Sequence, residues 1–340
     1  MIKIILYFIS ILVINFFLKK IKYLPNYSGH SHQVFTNAKN IPLTGGIYIL
    51  IILFIIFFNN INLLIFSSIM FFIGFTSDKN ILVSPAKRLI TQILTVTFFV
   101  YAFDLLISDS RVDFFNLLLE NIYFSYFFSI FCILILINGA NFIDGLNGLL
   151  LGYFIIVLYI IFKIDLFYQL QLNQNDILFV FISLIFLLIL NYLSIFFLGD
   201  SGSYLIGIIL SYLLISLYNL HQNFISPYFI ILLLWYPCFE NLFSIIRKNK
   251  KGISPINADN KHLHQLLLIY FKNKFNLKNS YINSLVSICI NAFNLTILIL
   301  ASLHPDNTKY QIFFIGICIL TYLSLYNFLN IKYKLTSKKK

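Results

Sequence analysis

The sequence predicts an all-α polytopic membrane protein, a bundle of about ten to eleven transmembrane helices with the N-terminus outside and the C-terminus cytoplasmic. Three observations predict it. The 340 residues are 60% hydrophobic and only 11% charged, where a soluble domain carries roughly 25% charge. The mean hydropathy is +0.88, and the apolar residues fall in runs near the length of about 20 that crosses a bilayer. The basic residues, finally, gather on alternate connections between those runs.

The runs cover residues 2–18, 43–58, 61–76, 89–108, 122–139, 148–165, 176–192, 203–220, 227–246, 281–303 and 310–329. The first, "IKIILYFISILVINFFL", lacks a strongly basic start and a small-residue cleavage site, so it reads as a retained span. Pro42 and Gly45-Gly46 open the second run, and Asn59-Asn60 makes a tight hairpin to the third. Ser84-Pro85 starts the helix of the fourth. A polar insert, "NGANFIDGLNGLLLG", separates the fifth from the sixth, and "FLGDSGSYLIG" leads into the eighth. Trp235-Tyr236-Pro237 should kink the ninth and set Glu240 slightly inside the membrane. The four cysteines, Cys132, Cys238, Cys289 and Cys318, sit in apolar runs without pairing or metal spacing and read as small buried hydrophobes.

Eleven spans place the two ends on opposite sides. Assigning 19–42, 77–88, 140–147, 193–202, 247–280 and 330–340 to one side gives it 20 of the 24 Lys and Arg residues. The positive-inside rule makes that side cytoplasmic. The whole chain, 1–340, then reads as one integral membrane domain whose cytoplasmic loops form the functional face. Seven of the twelve acids fall on or near the outer side without pattern and read as solvated or interfacial charge. The other five, Asp78, Asp144, Asp200, Glu240 and Asp259, lie at or near cytoplasmic span ends within unusual polar clusters.

Those clusters suit phosphate chemistry. "HSHQVFTNAKNIPLTGG" ends on glycines that let a phosphate or a neighbouring helix approach the backbone. In "GFTSDKNILVSPAKRLITQ", Asp78 stands beside Lys87 and Arg88, and an ion pair is the simpler reading of it. Asp200 sits between Gly199 and Ser201-Gly202; a carboxylate at a membrane end is costly unless it binds something, with a helix N-cap as the alternative. Oxygen ligands without a Cys or His cluster fit Mg²⁺. Asn138, Asn141, Asp144 and Asn147 share one helical face if that segment stays wound, a face of amides and one carboxylate suited to binding a nucleotide or sugar substrate, while Gly139, Gly145 and Gly148 keep the opposite surface slim. His262 and His264, spaced i, i+2, match poorly to a zinc pair and suit a loop aiming both rings into a cleft. Arg247, Lys248, Lys250 and Lys251 could be a membrane-surface patch alone.

Together "NGANFIDGLNGLL", "FLGDSGS" and "NADNKHLHQLL" resemble the polyprenyl-phosphate N-acetylhexosamine-1-phosphate transferases, over about His30 to Leu268. The loop form is closer to the branch that uses UDP-N-acetylhexosamines. The resemblance implies transfer of a sugar 1-phosphate from a UDP-sugar to polyprenyl phosphate, with release of UMP, in a bacterial inner membrane. It implies Mg²⁺, or Mn²⁺, held by Asp200 and Asp78, and nucleotide contacts from Asn138, Asn141 and Asp144. It places His262 and His264 near the sugar diphosphate, and Lys39 near the substrate entrance. Arg88 and Arg247 would face the transferring oxygens. The expected partners are UDP-sugar, polyprenyl phosphate and the bilayer, with no nucleic acid; a homodimer is compatible with the sequence.

Three positions depart from the family pattern. Ser77-Asp78 replaces an aspartate pair, Asn147 replaces an aspartate, and Gln265 stands where histidine is common. A mechanism using the first aspartate of the pair as base is therefore in doubt here. A phosphate monoester, whose second pKa is about 6, is already largely ionised near neutral pH. The rival class is a transporter, which places ionisable residues near the midplane on broken helices. Glu240 is the one residue that fits it.

Overall fold

The computed structural model describes residues 2–21, 41–164, 173–252, 254 and 261–337. Lys39 and Asp259 lie outside the described residues. All eleven apolar runs are helical. They form α1 (Ile2–Lys20), α2 (Gly45–Ile56), α3 (Ile61–Asp78), α4 (Pro85–Phe103), α6 (Ile122–Ile143), α7 (Leu149–Lys163), α8 (Gln174–Tyr192), α9 (Gly199–Leu220), the pair α10 (Pro227–Leu233) and α11 (Trp235–Asn249), α13 (Asn279–Ala301) and α14 (Thr308–Ser337). Two helices were not anticipated: α5 (Asp113–Leu119) and α12 (Leu263–Lys274). Among the described residues the only β-pairing is one parallel bridge, Leu43 to Phe197.

Polar residues between the runs start the helices. Asn60, Ser84, Asn121, Asn173 and Ser226 each accept a first-turn backbone N–H and so satisfy a donor that a helix start leaves over. Pro85 and Pro227 follow two of these caps.

Among the described residues seven helices are long and apolar enough to cross a membrane: α3, α4, α6, α8, α9, α13 and α14; the α10–α11 pair makes an eighth if counted as one span. The count is lower than the expected ten to eleven, and for two of the three remaining runs the reason is length. The apolar helices α2 and α7 have 12 and 15 residues, about 18 and 22 Å at 1.5 Å per residue, against a hydrocarbon core of about 30 Å. The chain is a multi-pass membrane protein.

α9 is the axis of the bundle. In its apolar window 78% of residues are buried, against 28–39% in the other six spans. Close packing around its N-terminus requires residues without side chains. A Cβ on Gly74 of α3 would run into the Ser201 Cα, and one on Gly46 of α2 would lie 2.6 Å from Ser201 Oγ. Phe197 N donates to Pro42 O and Gly45 N to Phe197 O, both at 3.0 Å, so α2 is stitched to the chain entering α9.

The expected kink is a break. α10 and α11 meet at 77°. Pro237 has no N–H for the Leu233 carbonyl one turn back, and the Tyr153 hydroxyl of α7 donates to that carbonyl at 2.9 Å. Trp235 Nε1 donates to Asn294 Oδ1 of α13 at 2.9 Å. Tyr153→Phe should cost about 1 kcal/mol, seen as a lower unfolding temperature in detergent; an unchanged transition would mean the carbonyl finds another donor.

At the end of the bundle away from Asp200, one of the acids expected on the outer side has a defined task instead of simple solvation. Asp109 Oδ1 accepts from Arg111 N at 2.8 Å and from Asn116 Nδ2 at 2.7 Å. Arg111 in turn donates to the carbonyls of Asp306, Gln222 and Ile225 at 2.6, 3.0 and 3.2 Å. That network ties three connections together.

Candidate active site

The C-terminal ends of α3 and α6 and the N-terminal ends of α4 and α9 converge at one end of the bundle. Each brings one or two polar residues, because a span end is where a helix can expose them without desolvating them fully. α9 begins at Gly199, whose φ of 73° lies in the left-handed region, where a Cβ is strained; a Cβ there would also lie 2.7 Å from Asp78 Oδ2. This turn aims the first N–H groups of α9 at α3. Asp78 Oδ1 accepts from Asp200 N at 2.8 Å and Oδ2 from Ser201 N at 3.1 Å.

Asp78 is therefore an N-cap supplied from another helix, its carboxyl oxygens accepting the first N–H groups of α9. That excludes the capping alternative for Asp200. Asp200 is not the cap of α9, since it lies inside the first turn. Asp78, expected to hold metal, has one bond to each carboxylate oxygen already made by backbone.

Asp200 is the residue presented to solvent, with about a quarter of its side chain exposed. Its Oδ2 accepts from Ser77 Oγ at 2.5 Å and from Arg88 Nη1 at 2.9 Å. Its Oδ1 accepts from Asn141 Nδ2 at 2.7 Å, and Asn141 also donates to Ser203 Oγ at 3.0 Å. Arg88 thus pairs with Asp200 and not, as the local sequence suggested, with Asp78. Ser77 supplies a hydroxyl that bonds both Arg88, at 2.8 Å, and Asp200.

Asp144 caps the end of α6. The residue is half-buried, its carboxyl being the enclosed part. Enclosure raises its pKa well above the ordinary carboxylate range, Asp200 and Asp78 push it further up, and the Gly199 N–H opposes them. Burial and the like charge of its neighbours thus favour the protonated form of Asp144.

The four-residue polar face does not stay together. α6 ends at Ile143, and the three asparagines of the expected face turn to different neighbours. Asn138 Nδ2 donates to Gln92 Oε1 of α4 at 3.1 Å and to Leu134 O at 2.9 Å. Asn147, expected to bind substrate, is 4% exposed and works as a clamp. Its Nδ2 donates to Ser194 Oγ at 2.7 Å and its N–H to Asn283 Oδ1 at 2.8 Å. Asn291 extends the clamp by donating to Gly148 O at 3.0 Å. The buried amides of α13, Asn283, Asn291 and Asn294, were missed in the sequence. They lie in an otherwise apolar run of an Asn-rich chain, and only their burial marks them.

The histidine residues dock on this loop. The His264 ring is fully buried and lies against Gly145, where a Cβ would come 2.7 Å from Nε2. Neither ring nitrogen has a hydrogen-bond partner among the described residues. His262 stacks beside it with ring centroids 5.7 Å apart, and its Nδ1 is 2.9 Å from Glu240 Oε1. Arg247, expected at the transferring oxygens, is 8% exposed and instead holds this loop in place, donating to Lys261 O at 2.5 Å and Tyr326 Oη at 3.1 Å.

Burial lowers the His264 pKa to about 3, with Glu240 opposing the fall and His262 adding to it. Because the folded value lies below the unfolded value of about 6.5, stability is whole above about pH 6.5 and is lost as the pH falls toward 3. By pH 5 the loss should reach about 2 kcal/mol. Unfolding temperatures in detergent between pH 7 and pH 5 should fall less steeply for His264→Asn than for the wild type. Parallel slopes would contradict a neutral buried ring.

Fold and site define a class: a polytopic membrane protein with a cluster of three carboxylates, an arginine and an amide at one end of its bundle, closed on one side by a histidine loop. Residues 60–218 match the family model "Glycosyl transferase family 4". This segment carries Asp78, Asp144 and Asp200. Among curated relatives, the undecaprenyl-phosphate alpha-N-acetylglucosaminyl 1-phosphate transferase of Thermotoga maritima is 26% identical over 278 residues, 78% of this chain and 84% of the relative. The proteins of the same name from Escherichia coli K12 and Salmonella typhi are each 29% identical over 151 residues, 43% of this chain. The match spans 41% of the length of each of those two.

Proposed function

We propose that this protein transfers an N-acetylhexosamine 1-phosphate from a UDP-sugar to polyprenyl phosphate, undecaprenyl phosphate being the acceptor named in its relatives. A lipid phosphate oxygen attacks the β-phosphorus of the sugar nucleotide. The bond from that phosphorus to the oxygen bridging the two phosphates breaks, and UMP leaves. The observation that carries this reading is the meeting of Asp200, Asp144, Asn141 and Arg88 at a span end, within the segment that matches the family.

Bringing two phosphate groups together demands alignment and positive potential more than covalent help. Arg88 is the cation in place: its Nη1 already reaches Asp200 and Ser77, and it can exchange a carboxylate for a phosphate oxygen. Asn141 and Ser203 offer neutral hydrogen bonds beside it. Asp78 keeps the α9 turn rigid so that Asp200 is held in one orientation.

Mg²⁺ fits the donor set. Among the described residues no three His, Cys, Asp or Glu side chains form a complete cage, and Mg²⁺ typically uses one or two carboxylates with waters and substrate phosphates. Asp200 is the exposed carboxylate, with Asp144 beside it. The ion, when bound, would neutralise the mutual repulsion of these groups and polarise the diphosphate.

We read the site as cytoplasmic, with the N-terminus outside, because 20 of the 24 basic residues fall on the loops of that side. The chain then acts as one domain of a bacterial inner membrane, on a lipid whose tail stays in hydrocarbon while its phosphate waits at the interface. The test is direct. Purified protein is given labelled polyprenyl phosphate, Mg²⁺ and a panel of UDP-sugars. UMP release that needs both substrates is expected, and its absence with every donor would overturn the proposal.

A further inference from the structure

The break between α10 and α11 carries a carboxylate that the chemistry above leaves unused. Glu240 follows the break by little more than a turn and is 1% exposed. A buried carboxylate at a membrane end is costly unless it has a partner, and its partner is His262, whose side chain is 6% exposed. Glu240 Oε1 and His262 Nδ1 are 2.9 Å apart. An ionised carboxylate can only accept, so Nδ1 carries the proton in this contact whether the ring is neutral or charged. The Nε2 edge of the ring is then turned away from the break.

The surroundings leave the ring little other freedom. Phe142, next to the Asn141 that bonds Asp200, lies 5.0 Å from the His262 ring, centroid to centroid, and His264 stacks on it within 15° of parallel. The backbone is fixed as well, with His262 N donating to Gln265 Oε1 at 3.2 Å. α11 holds the same loop a second time through the Arg247 bond to Lys261 O. α11 is itself anchored to α6 by Asn241 Nδ2 on Ile135 O at 3.0 Å, and its Pro237 carbonyl packs against Gly139. The break thus fixes a platform, and Glu240 is the side chain through which the platform orients a histidine.

We propose that Glu240 is a positioning residue that holds His262 in its Nδ1–H form and in one ring plane, so that the loop meets the sugar diphosphate with the Nε2 edge. Carboxylates orient histidines elsewhere by fixing the tautomer in this way. The role in substrate binding rests on the transferase reading; the tautomer does not.

The experiment combines ¹⁵N-histidine NMR of the full-length protein in detergent, with His262→Asn identifying the signal, and steady-state kinetics. The wild type should show a protonated His262 Nδ1. In Glu240→Leu that proton should move to Nε2 in a large part of the population. The KM for UDP-sugar should rise about tenfold, the worth of a charge-assisted hydrogen bond, with the KM for polyprenyl phosphate unchanged. In Glu240→Gln, which keeps shape and an accepting oxygen, Nδ1–H should persist with a shifted resonance and a smaller rise in KM. An unmoved Nδ1 proton in folded Glu240→Leu overturns the proposal. If that variant does not fold, an unshifted resonance in Glu240→Gln overturns it instead. Wild-type protein that releases no UMP defeats the transferase reading, while the NMR result still decides the part played by Glu240.

Discussion

Asp200→Asn protein should release UMP about 10³-fold more slowly than the wild type and unfold at nearly the same temperature. The two halves of this expectation have different causes. The loss of rate follows from removing the carboxylate that bonds Arg88, Ser77 and Asn141 at the centre of the site, since charge placed for a transition state is worth about this much. Stability survives because the interactions lost are weak. The Arg88 pair is a quarter exposed on both sides, and pairs of that kind contribute up to about 1 kcal/mol. The asparagine oxygen can still accept from Ser77. UMP release and thermal unfolding in the same detergent would check it. Turnover near the wild-type rate would remove Asp200 from the reaction, and a collapse of the fold would recast it as a structural residue.

The sequence revealed the spans and the polar inserts because both are local signals. A run of apolar residues must be helical in a membrane, where nothing else satisfies its backbone, and Asp200 stands out because Gly199, Ser201 and Gly202 surround it in a hydrophobic chain. What it could not reveal was pairing between distant elements. Arg88 sits ten residues after Asp78 in the sequence and yet bonds Asp200. Asn147 looked like a continuation of the Asn138 and Asn141 face, but the helix stops at Ile143 and sends it toward Ser194 and α13. Arg247 looked like a surface cation and is buried around Lys261 O and Tyr326. Glu240 was visible as an oddity near a proline, and only the fold supplies the histidine that accounts for it.

Asp78→Asn is the variant that separates capping from metal binding. In the fold each Asp78 oxygen accepts one backbone N–H of α9. An asparagine has one accepting oxygen and one NH₂ group, so one of the two α9 donors would face another donor. A buried donor left without a partner costs about 1–3 kcal/mol. The unfolding temperature should therefore drop by several degrees, roughly 2–4 °C for each kcal/mol in a chain of this order of size. Activity should fall by about 10², because the turn that orients Asp200 loosens. The Mg²⁺ concentration giving half of the remaining activity should move little. A residue acting chiefly as a metal ligand would give the reverse: unchanged melting with a strongly raised Mg²⁺ requirement. That result would return Asp78 to the metal and leave the α9 N-terminus to be satisfied by Asp144 alone.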